Sequence, residues 1–342
     1  MKRKQCLVAV GLVAALVLLS GCPPKATIEE EIPNEGIVTL PFSLTLEYEG
    51  VEKVVNGITV MPEEFTHRGH QTVFAVPGFG DNYNALRYLA ACLAQEGYVV
   101  VIFDPDDTVN LFPADQPNRL IEFDKSGSFR RELNALDQGL ATVGYDPVLN
   151  LAWRNLIWVY LQTLRGKVDD PSALSECQAL FDYRLAVAEM LIGLGLDESP
   201  LLPGSEAIDP EQIFAMGHSL GGATVLELIG AAGRTVLPIG TIKGALLLAP
   251  VSGIFSQADL AQINAPTRWI IATEDQSCVN VGYDSRYGWV PADAKETIVF
   301  EGATHAVFSY TFHRDVLNHE PDDECIGWQN EVVRIATQFF KN

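Results

Sequence analysis

The chain has 342 residues, 48% of them hydrophobic, and 23 Lys+Arg against 44 Asp+Glu give a formal net charge of −21. That apolar content suffices for a large buried core and excludes intrinsic disorder despite the charge. The acidity excludes nucleic acid and anionic lipid headgroups as electrostatic partners, because a polyanion repels phosphate. The length allows two domains or one enlarged α/β domain.

Residues 1–22 read MKRKQCLVAVGLVAALVLLSGC. Lys2, Arg3 and Lys4 form a positive n-region, and Leu7 to Leu19 an apolar stretch too short to span a ~30 Å bilayer core comfortably. Leu19-Ser20-Gly21-Cys22 then resembles a bacterial lipobox. That resemblance implies cleavage of residues 1–21, lipidation of Cys22 and export to the cell envelope, periplasmic or cell-surface side. Residues 22–40, rich in Pro and Glu, read as a tether and residues 41–342 as the domain. Loss of three positive charges with the signal leaves a mature charge of about −24. An oxidising compartment permits disulfides. Cys278–Cys325 is the favoured pair, because both lie near the C-terminal loops, and Cys92–Cys177 is the alternative.

Residues 42–61 alternate apolar and polar, which predicts one or two half-exposed antiparallel strands at a sheet edge. Short continuous apolar runs follow at Thr72–Val76, Tyr98–Phe103, Gln212–Met216, Ala245–Ala249, Trp269–Ala272 and Thr297–Phe300. Such runs suit strands buried on both faces. Helical periodicity lies between them at Asn84–Glu96, Tyr183–Leu194 and Leu220–Ala232, and at the end in Trp328–Phe340. The alternation predicts a doubly wound, mainly parallel α/β sheet, with ligands binding at the carboxyl ends of the strands. The stretch from Asp104 to Glu211 is too long for a simple crossover. It carries helix-like patterns at Asn134–Val143 and Ala152–Leu164, so about 106–180 reads as an insert that caps the site.

Gly217-His218-Ser219-Leu220-Gly221 fits G-x-S-x-G between a strand and a helix of small residues, the context that a nucleophile elbow requires. A serine hydroxyl needs a base and an orienting acid. In this architecture they follow in the order acid, then His. Asp275 stands just past a buried strand, with neighbouring Glu274 as the alternative acid, and His305 lies in the loop after the last strand. An oxyanion needs N–H donors. The Leu220 N–H supplies one, and the loop Pro77-Gly78-Phe79-Gly80 a second, from Phe79 or else Gly80. The acidic clusters at 104–107 and 321–324 lack EF-hand spacing and read as solvated loops.

With PGFG, GHSLGG, ATED and GATH in this order, the chain resembles the α/β-hydrolase superfamily. Within it, it looks like the cutinase-like polyester hydrolases and the platelet-activating-factor acetylhydrolase and chlorophyllase-like esterases. The resemblance implies Ser219 as nucleophile, His305 as base, Asp275 as acid, Phe79 and Leu220 as oxyanion donors, and neither metal nor organic cofactor. About seventy extra residues before the elbow depart from the compact polyester hydrolases and favour a smaller ester or lipid over a polymer. The implied function is serine carboxylic-ester hydrolysis by a monomer. A thioesterase or acyltransferase with the same triad, or a non-catalytic surface lipoprotein of this fold, is the alternative.

Overall fold

A computed structural model describes residues 32–65, 69–78, 81–105, 171–252, 255–275, 287–310 and 323–341. The strands are β1 (Ile37–Tyr48), β2 (Val51–Pro62), β3 (His70–Val76), β4 (Val99–Phe103), β5 (Ile208–His218), β6 (Ile242–Leu248), β7 (Thr267–Ala272) and β8 (Lys295–Phe300). They make one sheet in the order β1-β2-β4-β3-β5-β6-β7-β8. β3 to β8 pair parallel, while β2 pairs antiparallel with both β1 and β4. The helices are α1 (Arg87–Gln95), α2 (Pro171–Leu196), α3 (Leu220–Leu228), the single turn α4 (Gln257–Leu260) and α5 (Asp323–Phe340). This is the doubly wound arrangement of an α/β-hydrolase fold.

The sheet is covered on both faces, which is why its central strands are continuous apolar runs. Phe74, Val76, Val99 and Val101 point into one core, with Leu185 and Val187 of α2 and Leu226 of α3. Val73, Ala75, Val100 and Ile102 point into the other, with Leu89 and Leu93 of α1 and Val332 and Ile335 of α5. The edge hairpin has a different pattern. In β1 only Phe42 and Leu44 are buried, flanked by exposed Pro41, Ser43 and Thr45. Pro41 cannot donate to a ladder, and an edge strand tolerates it.

Element boundaries differ from the periodicity by a few residues at several ends, such as β5, which starts at Ile208, and α3, which ends at Leu228, and more informatively in three places. β1 takes in Ile37–Leu40, whose composition resembles a tether, because these residues pair in register with Pro62–Thr59. The tail helix starts at Asp323, a turn before Trp328. α2 is continuous from Pro171, so residues 171–180 belong to a helix that packs on the sheet. The remainder of the insert, with the patterns at Asn134–Val143 and Ala152–Leu164, lies outside the described residues, as do residues 1–31 with Cys22. No helix among the described residues is long and apolar enough to cross a membrane.

The Cys92–Cys177 pairing is not formed. Cys92 is a free thiol. α1 carries it on one face of the sheet, whereas α2, which contains Cys177, packs on the other. Cys278, the favoured partner of Cys325, lies outside the described residues.

Candidate active site

The strand β5 ends at His218 and α3 starts at Leu220, so Ser219 alone makes the turn. Its backbone is held at φ 54°, ψ −118°. A non-glycine residue at positive φ is strained, and such strain persists only where the surroundings over-determine it. Here the Ser219 N–H donates to the Leu248 carbonyl (3.0 Å), and the Ser219 carbonyl accepts from Val251 N–H (2.9 Å) and Gly222 N–H (3.0 Å). Two glycines permit the tight turn. A Cβ on Gly217 would lie 2.3 Å from the Gly221 oxygen, and one on Gly221 would lie 2.0 Å from the Val76 oxygen. Ser219 occupies the N-cap position, yet its hydroxyl makes no capping hydrogen bond. The oxygen therefore remains at the N-terminal end of α3, where the helix dipole favours negative charge.

Asp275 follows β7 with a fully buried side chain, and its Oδ2 accepts from His305 Nδ1 at 2.7 Å. Glu274 is exposed. Its backbone N–H donates to the Ala303 carbonyl (2.9 Å), and Thr273 Oγ1 accepts from Gly302 N–H (2.8 Å). These two bonds tie the loop after β7 to the loop after β8, so acid and histidine are held as a unit. The structure thus brings Asp275, and not Glu274, to His305. α5 supports the histidine loop from behind: buried Gln329 donates to the Val307 carbonyl at 3.1 Å, and Trp328 stacks on Phe300.

His218 joins the elbow to this unit. Its ring centroid is 4.7 Å from that of His305, and its Nε2 lies 3.1 Å from the His305 carbonyl. A carbonyl only accepts, so Nε2 carries the proton. Burial, and then the neighbouring His305, lower the His218 pKa well below the ordinary imidazole value. The ring is therefore neutral, with Nδ1 as an acceptor 3.9 Å from Asp81 Oδ2. Asp81 Oδ2 accepts from Ser309 Oγ at 3.3 Å.

Sequence reasoning passed over His218, which is hidden inside the elbow motif, and Asp81. It also missed Arg184 on α2, which is fully buried and donates to the carbonyls of Pro77 and Gly78. Its only signal is a cation inside the otherwise uncharged run Tyr183–Ala188. Leu220 is the first residue of α3 and is buried. Phe79 and Gly80 lie outside the described residues. Among the described residues no group of three His, Cys, Asp or Glu side chains converges as a metal site would.

The chain matches no protein-family model and no curated relative. Solved structures with similar folds include a dienelactone hydrolase from Anabaena variabilis, with 15% identity and a TM-score of 0.45 over 89% of this chain and 97% of that one. Another is a dienelactone hydrolase-like promiscuous phosphotriesterase from metagenomic libraries, with 15% identity and a TM-score of 0.48 over 90% of this chain and 98% of that one. At this identity neither protein's chemistry transfers to this chain.

Proposed function

We propose that the protein is a serine hydrolase of carboxylic esters, with Ser219 as nucleophile, His305 as general base and Asp275 as the acid that orients it. What carries the reading is the conjunction at one sheet edge of a strained serine turn, its hydroxyl uncommitted to capping, and a histidine bonded at 2.7 Å to a buried carboxylate. With Nδ1–H held by Asp275, the His305 Nε2 is the basic nitrogen. It takes the Ser219 proton as Oγ attacks the ester carbonyl. The negative charge that develops is stabilised by the N–H of Leu220, at the start of α3, and by that of Phe79. His305 then protonates the leaving alcohol, and water activated in the same way releases the acyl group. Asp275 stays ionised and stabilises the imidazolium.

The substrate we propose is a small or lipid ester, and no cofactor takes part. The N-terminal Leu-Ser-Gly-Cys supports anchoring of a monomeric enzyme to an envelope membrane through lipid on Cys22, with two or three acyl chains giving stable attachment. A chain-length series of chromogenic esters and a fluorophosphonate probe test the reading together. The wild type turns over at least one ester and is labelled on Ser219, whereas Ser219→Ala loses both properties and unfolds at the same temperature. An alanine variant that retained wild-type turnover would place the nucleophile elsewhere. Palmitate labelling of the intact chain in a bacterial host, lost in Cys22→Ala, tests the anchor.

A further inference from the structure

Arg184 lies in the middle of α2, with no exposed surface. One arm of its guanidinium, Nη1, donates to the Pro77 carbonyl at 3.1 Å. The other, Nη2, donates to the same oxygen at 3.2 Å and to the Gly78 carbonyl at 2.8 Å. Pro77 and Gly78 are the first residues after β3, in the loop that leads toward the proposed second oxyanion donor. They lie against the elbow. A Cβ on Gly78 would stand 3.4 Å from Ser219 Cβ and 3.2 Å from His218 Nδ1, and the Pro77 oxygen would be 2.5 Å from a Cβ on Gly221.

Placing a guanidinium in an apolar core is expensive unless its donors are used. Two successive backbone carbonyls on one fork fix two successive peptide planes. In a planar trans peptide the N–H points opposite to the carbonyl. The Pro77 carbonyl held on Arg184 therefore also sets the direction of the Gly78 amide. Leu185 and Val187, which pack α2 on the sheet, keep the arginine backbone in place.

We propose that Arg184 is a positioning residue for ester hydrolysis: it holds Pro77 and Gly78, at the start of the loop after β3, in place against the elbow at Ser219. The inference rests on the serine-hydrolase reading above. It requires the fork itself, since a lysine ammonium is a point charge that cannot hold two carbonyls in the same way.

The test compares wild type, Arg184→Lys and Arg184→Ala on a chromogenic acetate ester, with circular dichroism confirming that each is folded at the assay temperature. In Arg184→Lys, kcat falls about 10- to 100-fold while KM moves less than about threefold, as for a displacement of up to ~1 Å at the reacting groups. In Arg184→Ala, low-millimolar guanidinium restores part of the lost kcat and ammonium does not. A lysine variant with wild-type kcat overturns the inference, as does an alanine variant that guanidinium fails to rescue. If both variants unfold at the assay temperature, the residue is structural and the positioning role is wrong. A wild type that hydrolyses no ester overturns the serine-hydrolase reading instead, and this inference with it.

Discussion

Gly221→Ala places a methyl group where the protein has no room for one. The added carbon would sit 2.0 Å from the Val76 oxygen and 2.5 Å from the Pro77 oxygen, both backbone atoms. Ordinary contact begins near 3.4 Å, so the start of α3 and the end of β3 must separate by roughly 1 Å or more. No flexible side chain is available to yield, and on the other side β6 holds the turn through Ser219 N–H to the Leu248 carbonyl. Overpacking of this kind costs about 1–3 kcal/mol, which for a domain of this size lowers Tm by roughly 2–10 °C. The larger effect falls on rate, since a displacement of ~1 Å at reacting groups lowers turnover about 10²-fold. Gly193→Ala is the matched control. Gly193 lies inside α2 at an ordinary φ, with nothing within 4 Å of an added Cβ. There the same substitution stabilises by about 0.5–1 kcal/mol through helix propensity. Differential scanning calorimetry and kcat on a chromogenic ester read both variants. A Gly221→Ala enzyme with wild-type kcat and Tm would refute the argument that close backbone approach fixes the nucleophile.

Asp275→Asn lowers kcat by about 10⁴-fold, by analogy with loss of the acid from a serine-protease triad, whereas Glu274→Gln leaves it near wild type; the reverse order in steady-state kinetics would reassign the acid. Glu227 on α3 is buried, and that burial raises its pKa to about 7 even though Arg234 Nη2 pairs with it at 2.8 Å. The folded state therefore holds a proton that the unfolded chain releases near pH 4.5. Stability from this group is greatest below pH 4.5 and declines as pH rises toward 7, by about 3 kcal/mol in all. Glu227→Gln flattens that decline, so its Tm relative to wild type rises from pH 5 to pH 8; parallel Tm profiles for the two proteins would exclude Glu227 as the source.

The sheet was legible because strands buried on both faces must be apolar without interruption, and each such run is followed within three residues by Gly, Pro or Asp at the carboxyl edge. The elbow was legible for a similar reason. Gly217 and Gly221 are required by backbone contacts that any other residue would break, so the motif records a geometric constraint directly. Helix limits were less legible, although the elbow fixes the start of α3 at Leu220. α3 is buried all round, so it shows no polar stripe to mark its limits, and α2 extends well before the segment that periodicity marks. The choice between Asp275 and Glu274 depends on which side of a turn each side chain leaves, and adjacent acids in a sequence do not encode that. Arg184 was hidden because its partners are main-chain carbonyls. A bond to a carbonyl places no demand on the identity of Pro77 or Gly78 and so leaves no pattern to read.

The hydrogen bonds around the serine also determine when the site can exist. Arg184 reaches back 107 residues to Pro77, and His218 reaches forward 87 residues to His305. Gln71, at the start of β3, donates to the carbonyl of Phe340, 269 residues away. Contacts so distant in sequence form late, because each must first overcome the entropy of closing a long loop. A growing chain that has extended past β6 to Val251 has every backbone partner that holds the serine turn but has neither the histidine nor the helix that supports it. On the serine-hydrolase reading proposed above, activity recovered on refolding from denaturant is expected to lag the bulk of the secondary structure and to appear once the C-terminal helix docks.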